Sequence, residues 1–481
     1  MDNLSKRLKE YSKNGAYPFH MPGHKRQLEG AYRYDITEIE GFDNLNNPTG
    51  IIREMNEKIA KIYESKASFF TVNGSTCGNL SAISAVTDFG DTIIVARNCH
   101  KSVTNVAYIR KLNIEYAVPD MANRTLIGPI SLEEIKSSVS NLSTKGIVPK
   151  AVVLTSPTYE GFVSDIPKIA DYLHSKKIPL IVDSAHGAHL HFDDTFPSDH
   201  IDKIDICIMS AHKTLPVLNQ GAIVHVNSDL VDAENVMKFL RIYQTSSPSY
   251  VIMESMSYAL EIIAKKNRFS RYISNLRRFY KEISPLKALS VEPEADNRDF
   301  GKIVIYTNGY MSGEELCNRL RSEYNLELEM YNDAYALAMT SIMDKDEAFD
   351  ELAHALLEID EAVATDIKLQ NSGESDDKDS LIGGSGINIS HKEKTPSASY
   401  FLRRHAKKCE SYEISGKCVY LPIDECEGKV AGDAIIAYPP GIAIIMPGEV
   451  IDRQDIDYIK ENPNHIEGLY DGKMCIWPRD N

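Results

Sequence analysis

The chain has 481 residues, 43% hydrophobic and 25% charged, enough apolar material for roughly two to four folded domains. Its 69 acidic residues outnumber 53 basic ones, and the net charge of −16 argues against a nucleic-acid surface while suiting a small cationic substrate. No stretch approaches about 18 consecutive apolar residues, so no membrane span is expected. Eight cysteines without a CxxC pair, and a polar start at Met1 to Lys13, point to the cytoplasm and give no metal-ligand spacing.

Residues 1–60 read as a polar, irregular N-terminal segment with two turn-rich loops, Pro18 to Lys25 and Asp43 to Gly50, neither of which looks like core. From about residue 61 the pattern alternates. Ser68–Val72, Thr92–Ala96, Asn113–Val118, Ala151–Thr155, Leu180–Val182, Ile206–Met209 and Ala222–Val226 are apolar runs of strand length. Helical segments separate them, from Gly74 to about Thr87, to Arg110, over Ser131–Ser140 and over Asp165–Lys176. This predicts an α/β large domain over 61–285 with a mostly parallel sheet of about seven strands covered on both faces. Residues 231–285 read as helical and close that domain. Residues 286–365 predict a small α+β domain, with strands at Lys302–Tyr306, Leu326–Met330 and Ala336–Thr340 and helices at Ser312–Ser322 and Lys345–Ala362. Residues 366–394 read as a flexible linker, rich in Ser, Gly, Asp and Lys from Asn371 onward. Residues 395–481 form a C-terminal domain.

Four loops near predicted strand ends carry polar residues, and open α/β sheets bind ligands at the carboxyl ends of their strands. Gly74-Ser75-Thr76 opens a helix and can cradle a phosphate, or merely cap that helix. His100 follows a strand and can stack on an aromatic ring, or be a loop histidine. Asp183 ends a strand, where a carboxylate is either a cap or the partner of a cation such as a protonated pyridine. Ala185 beside it is small enough to admit a flat ring, and His186 follows. Ser210-Ala211-His212-Lys213 lies between two apolar runs. Alone, Lys213 reads as a surface lysine. With phosphate turn, ring stacker and pyridinium partner ahead of it along one Rossmann-like sheet, it reads as the Schiff-base lysine of a pyridoxal 5′-phosphate (PLP) site.

The chain resembles the Orn/Lys/Arg decarboxylase family, which has the aspartate-aminotransferase (PLP type I) fold. The resemblance rests on Phe19-His20-Met21-Pro22-Gly23-His24-Lys25, Gly74-Ser75-Thr76, Arg97-Asn98-Cys99-His100-Lys101-Ser102, Ser156-Pro157-Thr158-Tyr159-Glu160-Gly161, Asp183-Ser184-Ala185-His186-Gly187-Ala188-His189, Ser210-Ala211-His212-Lys213-Thr214-Leu215-Pro216 and Tyr438-Pro439-Pro440-Gly441-Ile442. It implies that Lys213 carries PLP, Asp183 pairs with the ring nitrogen, His100 stacks on the ring, and Ser75, Thr76, Ser210 and His212 surround the phosphate. It implies a homodimer or larger homo-oligomer with sites at the interface, Ser246 in Thr245–Ser249 reaching a neighbour's phosphate. His20 and Glu329 become the substrate-side candidates. The chain is similar to the shorter forms of the family, which lack an N-terminal flavodoxin-like domain, and His186 stands where larger relatives carry tryptophan. The implied activity is decarboxylation of a basic amino acid for polyamine biosynthesis. Arginine, giving agmatine and CO₂, ranks before lysine or ornithine, with His212 or Lys213 returning the proton to Cα. An aminotransferase or aldolase-type lyase of the same fold, or a non-catalytic regulatory relative, are the alternatives. No arginine stands out to grip a substrate carboxylate as in aminotransferases, and both Lys213 and Asp183 are present.

Overall fold

Apolar runs too short to be helices and too continuous to have a wet face pair into one sheet. Its strands are β1 (Ala67–Thr71), β2 (Thr92–Ala96), β3 (Asn113–Ala117), β4 (Val152–Thr155), β5 (Leu180–Asp183), β6 (Ile206–Met209) and β7 (Ala222–Val226), in the order β1-β7-β6-β5-β4-β2-β3. Only β7 runs against its neighbours; the other pairings are parallel. The central strands are buried along their length, which is why they do not alternate. The computed structural model describes residues 3–14, 16–123, 125–265, 267–372, 405–414, 418–437 and 442–478.

The helices around this sheet are α1 (Leu4–Lys13), α2 (Ile51–Ile62), α3 (Gly74–Val86), α4 (Lys101–Arg110), α5 (Leu132–Thr144), α6 (Ile166–His174), the single turn α7 (Ala211–Thr214), α8 (Ala233–Tyr243) and α9 (Tyr250–Ile263). Helix α3 lies close against the sheet because its residues are small. A Cβ on Gly78 would come within 2.7 Å of Ile208 Cγ2 and 3.1 Å of Val224 Cγ2, so β6 and β7 allow only glycine there.

The N-terminal segment is not irregular as expected: it contains α1 and α2. Their apolar residues are few but spaced for one face, Leu4 and Leu8 in α1, and Ile51, Ile52, Met55 and Ile59 in α2, all buried. Asn3 caps α1 by accepting from Lys6 N–H, and Ser5 Oγ donates to Glu254 Oε1 at 2.6 Å. Asp43, at φ +63°, collects the N–H groups of Asn44, Thr49, Gly50 and Ile52 and organises the entry to α2. Those four donors outweigh the desolvation that opposes them and hold the Asp43 carboxyl below its ordinary range.

The contacts divide the chain into two compact units, residues 1–265 with 398–481, and residues 266–397. The second contains α10 (Asn267–Glu282), β8 (Ser290–Val291), β9 (Lys302–Tyr306), α11 (Gly313–Tyr324), β10 (Met330–Tyr331), β11 (Tyr335–Met339) and α12 (Asp346–Ser372), with its sheet in the order β10-β11-β9-β8. The strand expected from Leu326 is only Met330–Tyr331. Asn325 ends α11 in the left-handed region, and the exposed Glu327 and Glu329 follow before pairing begins. Helix α12 outruns its expected end at Ala362 because Ile359, Val363 and Ile367 continue one stripe at four-residue spacing. It reaches Ser372, so residues 366–372, expected as linker, are helical; residues 373–394 and Tyr438–Gly441 lie outside the described residues.

In the first unit the C-terminal residues form β12 (Val419–Pro422), β13 (Val430–Ala431), β14 (Ile435–Ala437), β15 (Ile442–Ile445), α13 (Arg453–Glu461), β16 (Ile466–Glu467), β17 (Leu469–Tyr470) and β18 (Lys473–Trp477) around a core including Ile435, Ile445, Ile456 and Met474. They meet the large sheet at the loop after β2. Arg97, 2% exposed, reaches Glu449, 3% exposed, at 3.0 Å, donates to Ile444 O at 3.0 Å and stacks over the Tyr116 ring. Ile442 bridges His100 of the same loop. Among the described residues no helix is long and apolar enough to cross a membrane.

A buried ion pair that loses one member leaves an unpaired charge, which costs about 3–5 kcal/mol. Glu449→Ala is therefore expected to destabilise this region by that amount, read by the fluorescence of Trp477, the one tryptophan, in denaturant. Replacing both partners, Arg97→Met with Glu449→Leu, is expected to cost less than Glu449→Ala alone. Equal losses for both variants refute the assigned role.

Candidate active site

β1 runs antiparallel to β7, and β7 antiparallel to β6, so β1 shares the direction of β6 and of the parallel strands. The carboxyl ends of β1, β2, β5 and β6 therefore gather at one edge. The chain leaves them into α3, the His100 loop, Asp183–His186 and α7.

Asp183 ends β5 and is 3% exposed. Its Oδ2 accepts from Asn79 Nδ2 at 2.7 Å and its Oδ1 from Ala185 N–H at 3.1 Å. The other Asn79 N–H reaches Ser102 Oγ at 2.9 Å. Ser102 in turn lies 2.9 Å from His100 Nδ1, which also accepts from Ser102 N–H at 3.2 Å. Nδ1 is thus an acceptor, the Ser102 hydroxyl donates to it, and the ring proton sits on Nε2. This is the neutral imidazole. His100 caps α4, and its pKa is lowered by burial of the ring; Asp183 opposes this, and the charges of Lys213 and Lys101 add to it.

Ser210 Oγ donates to Ser75 Oγ at 2.8 Å, bringing the two predicted phosphate hydroxyls together at the start of α3. Gly74 turns the chain there with φ +71° and donates its N–H to Gln220 O at 2.8 Å. Thr76 lies exposed on the same first turn. His212 is anchored by Nδ1–H to Gly221 O at 2.9 Å. Burial lowers its pKa; the Gly221 bond opposes this and the Lys213 charge adds to it. Lys213 is half-buried. Its Nζ lies 2.9 Å from His186 Nε2 and 5.7 Å from the centre of the Tyr159 ring. The His186 and Tyr159 rings pack at 4.5 Å, and Ala185 between Asp183 and His186 is buried.

The remaining predicted residues are Ser246, His20 and Glu329. Ser246 is exposed. Its neighbour Thr245 donates N–H to Asn73 Oδ1 at 3.1 Å, beside the start of α3 of its own chain. His20 is held through Nε2 by Tyr11 Oη at 3.2 Å, and no described hydrogen bond joins it to Lys213. Glu329 is exposed in the second unit, its N–H on Leu337 O. Asn79, Ser102 and Tyr159 went unnoticed as functional residues. The signal for Asn79 was an amide inside an otherwise small, apolar stretch of helix, Cys77 to Ala82, one turn beyond Ser75. Among the described residues, the one group with metal-ligand proximity is His405, Asp452 and Asp455. Asp452 and Asp455 cap the start of α13 reciprocally, and His405 Nε2 is bonded to Asp455 at 2.9 Å.

The residues fit PLP by donor chemistry. They supply an amine at Lys213, a buried carboxylate with lone pairs to spare at Asp183, a flat neutral ring at His100, and hydroxyls at a helix N-terminus at Ser75 and Ser210.

The histidines carry a pH prediction. His191, raised by its bond to Asp199 against the effect of burial, stabilises the fold fully below the ordinary value of 6.5 and loses this as pH rises through its raised pKa. His100 and His212, lowered, do the reverse: each costs stability as pH falls from the ordinary value toward its depressed pKa. Histidine ring NMR, assigned with single His→Gln variants, is expected to find His191 titrating above 6.5 and His100 and His212 below it. His100 titrating above His191 contradicts the neutral-ring geometry.

The family models for "Orn/Lys/Arg decarboxylase, major domain" and "Orn/Lys/Arg decarboxylase, C-terminal domain" match residues 3–295 and 397–468. The chain is similar to the uncharacterized protein YaaO of Bacillus subtilis, 29% identical over 97% of this chain and 95% of that protein. It is 27% identical to an arginine decarboxylase of the same organism, over 95% of this chain and 92% of that protein. The crystal structure of lysine decarboxylase LdcF from Francisella novicida superposes with a TM-score of 0.80 at 20% identity, covering 98% of this chain and 80% of that one, and shares its fold. With major and C-terminal domain models both matched in order along it, the chain belongs to the Orn/Lys/Arg decarboxylase family and is an amino-acid decarboxylase.

Proposed function

We propose that this chain decarboxylates arginine to agmatine and CO₂, using PLP held on Lys213. The observation that carries the reading is the gathering of Lys213, Asp183, His100, Ser75 and Ser210 at one sheet edge, with the Asp183 carboxylate buried and its two donors neutral. PLP, when bound, supplies an electron sink for the pair released as the Cα–carboxylate bond breaks. The protein does the rest. Asp183, oriented by Asn79 and Ala185 N–H, would hold the proton on the ring nitrogen. Neutral His100 would cover a ring face without adding a positive charge. Ser75, Ser210 and the N–H groups of Ser75 and Thr76 at the start of α3 would hold the phosphate. His186, 2.9 Å from Lys213 Nζ, can take the proton that the ammonium must lose before it attacks a carbonyl. After CO₂ leaves, Lys213 or His212 returns a proton to Cα, and the product differs from the substrate by CO₂ alone.

Arginine is favoured by the arginine decarboxylases of Bacillus subtilis and Bacillus anthracis, 27% and 26% identical over 95% of this chain. Lysine decarboxylases of Escherichia coli are 22% and 23% identical over 94% of it. A net charge of −16 suits a cationic substrate in either case. A cytoplasmic homodimer serving polyamine biosynthesis, with Ser246 at a neighbour's phosphate and His20 and Glu329 toward the substrate, completes the proposal.

The test supplies arginine, lysine and ornithine separately and measures CO₂ and the amine. Agmatine from arginine at the highest rate is expected. Cadaverine or putrescine as the faster product replaces arginine as substrate, and keto-acid formation without CO₂ overturns the reaction class. Lys213→Ala is expected to lose the near-visible absorbance of the bound cofactor and on the order of 10³-fold or more in rate. Retention of that absorbance removes Lys213 from the role.

A further inference from the structure

We propose that Asn79 is a positioning residue of the cofactor site, setting through one amide group both the carboxylate at the ring nitrogen and the imidazole on the ring face. This rests on the PLP reading above and adds to it a residue with neither a charge nor a nucleophile.

Asn79 is fully buried, one helical turn beyond Ser75 on α3, so the helix presents Ser75 at the phosphate end and Asn79 one turn deeper. A side-chain amide has two N–H donors. One reaches Asp183 Oδ2 at 2.7 Å and the other Ser102 Oγ at 2.9 Å. Having accepted from Asn79, the Ser102 hydroxyl has its own proton left for His100 Nδ1 at 2.9 Å. The direction of donation is therefore set along the whole chain: an ionised acceptor at Asp183, an amide, a hydroxyl, and an unprotonated Nδ1. Turning the amide over would place its oxygen against the carboxylate, so Asp183 also determines which way Asn79 faces. Asp183 ends strand β5 and His100 lies in the loop after β2, two strands that are separated in the sheet by β4.

The cost of this arrangement points to function. Asn79 Oδ1 is buried with no hydrogen-bond partner. An unsatisfied buried carbonyl is unfavourable, and an apolar side chain of similar size would avoid it. What leucine could not supply are the two donors. Those donors offset part of the cost of burying the Asp183 carboxylate, and the same two bonds orient both groups that the PLP reading places at the ring.

Three measurements test it on the purified full-length protein: PLP dissociation by equilibrium dialysis, the pH midpoint of the near-visible absorbance of the bound cofactor, and melting of the cofactor-free protein. Asn79→Leu is expected to weaken PLP binding about tenfold or more, by analogy with the 10–100-fold losses for residues supporting a first shell of ligands. It is also expected to shift the absorbance midpoint, a change that the lower cofactor-free melting caused by the lost donor to Asp183 would not by itself produce. Ser102→Ala cuts only the His100 arm and is expected to shift the midpoint less, with Ser102→Thr restoring it. An unchanged PLP affinity and midpoint in Asn79→Leu overturns the proposal while leaving the enzyme assignment standing. If Asn79→Leu fails to fold, the Ser102 pair decides: no shift in Ser102→Ala, or no restoration in Ser102→Thr, overturns it. A wild-type protein that shows no Lys213-dependent absorbance with PLP brings down the underlying reading instead, and this inference with it.

Discussion

A carboxylate at 3% exposure with two neutral hydrogen-bond donors is the constraint around which this molecule is arranged. Among the described residues neither lysine nor arginine pairs with Asp183. Burying an anion is costly, and a pair of N–H groups offsets only part of that cost. A group presenting a cationic N–H from the open side of the sheet edge would match the remainder. This is the electrostatic requirement that a protonated pyridine meets, and it explains why the donors around Asp183 are neutral: a resident arginine would satisfy the carboxylate and compete with the ring.

The fold serves that requirement through close packing. Helix α3 must approach β6 and β7 closely enough for Asn79 to reach Asp183, and Gly78 permits it because any Cβ there collides with Ile208. The same closeness brings Ser75 to Ser210. The C-terminal domain contributes from the other side. Arg97, Glu449 and the Ile442 bridge hold the loop on which His100 stands, so a segment distant in sequence tethers a residue of the candidate site. His405 extends this buried charge group, 3.6 Å from Glu449 and 2.9 Å from Asp455.

Elements with strong periodicity were readable from the residues. Thr92–Ala96, Ile206–Met209, Ala222–Val226 and Lys302–Tyr306 form strands with the expected bounds, since four or five consecutive apolar or β-branched residues between turns leave little choice. Helices α1 and α2 were not readable in the same way. Five charged residues in each helix masked a stripe of two to four apolar ones, and the partners that bury this stripe lie elsewhere in the chain. The strand expected over Leu326–Met330 is shorter for the opposite reason: alternation was present, but pairing with β11 begins only at Met330, with Glu329 adding its N–H to Leu337 O.

Chemically distinctive residues announced themselves in sequence. Lys213, Asp183, His100 and the Gly74-Ser75-Thr76 turn are reactive or phosphate-binding types at strand ends, and with the motifs around them they pointed to the family that the comparisons show and to PLP, the cofactor that the family implies. What the residues alone could not determine is which side chains meet. Asn79 lies 104 positions from Asp183 and 23 from Ser102, and an amide inside a helix carries no mark of its partners. The contact of His186 with Lys213, 27 positions away, is equally invisible in one dimension. Hydrogen bonds act over about 3 Å, and only the packing of α3, β5, β6 and the His100 loop against one another decided which groups come within that reach.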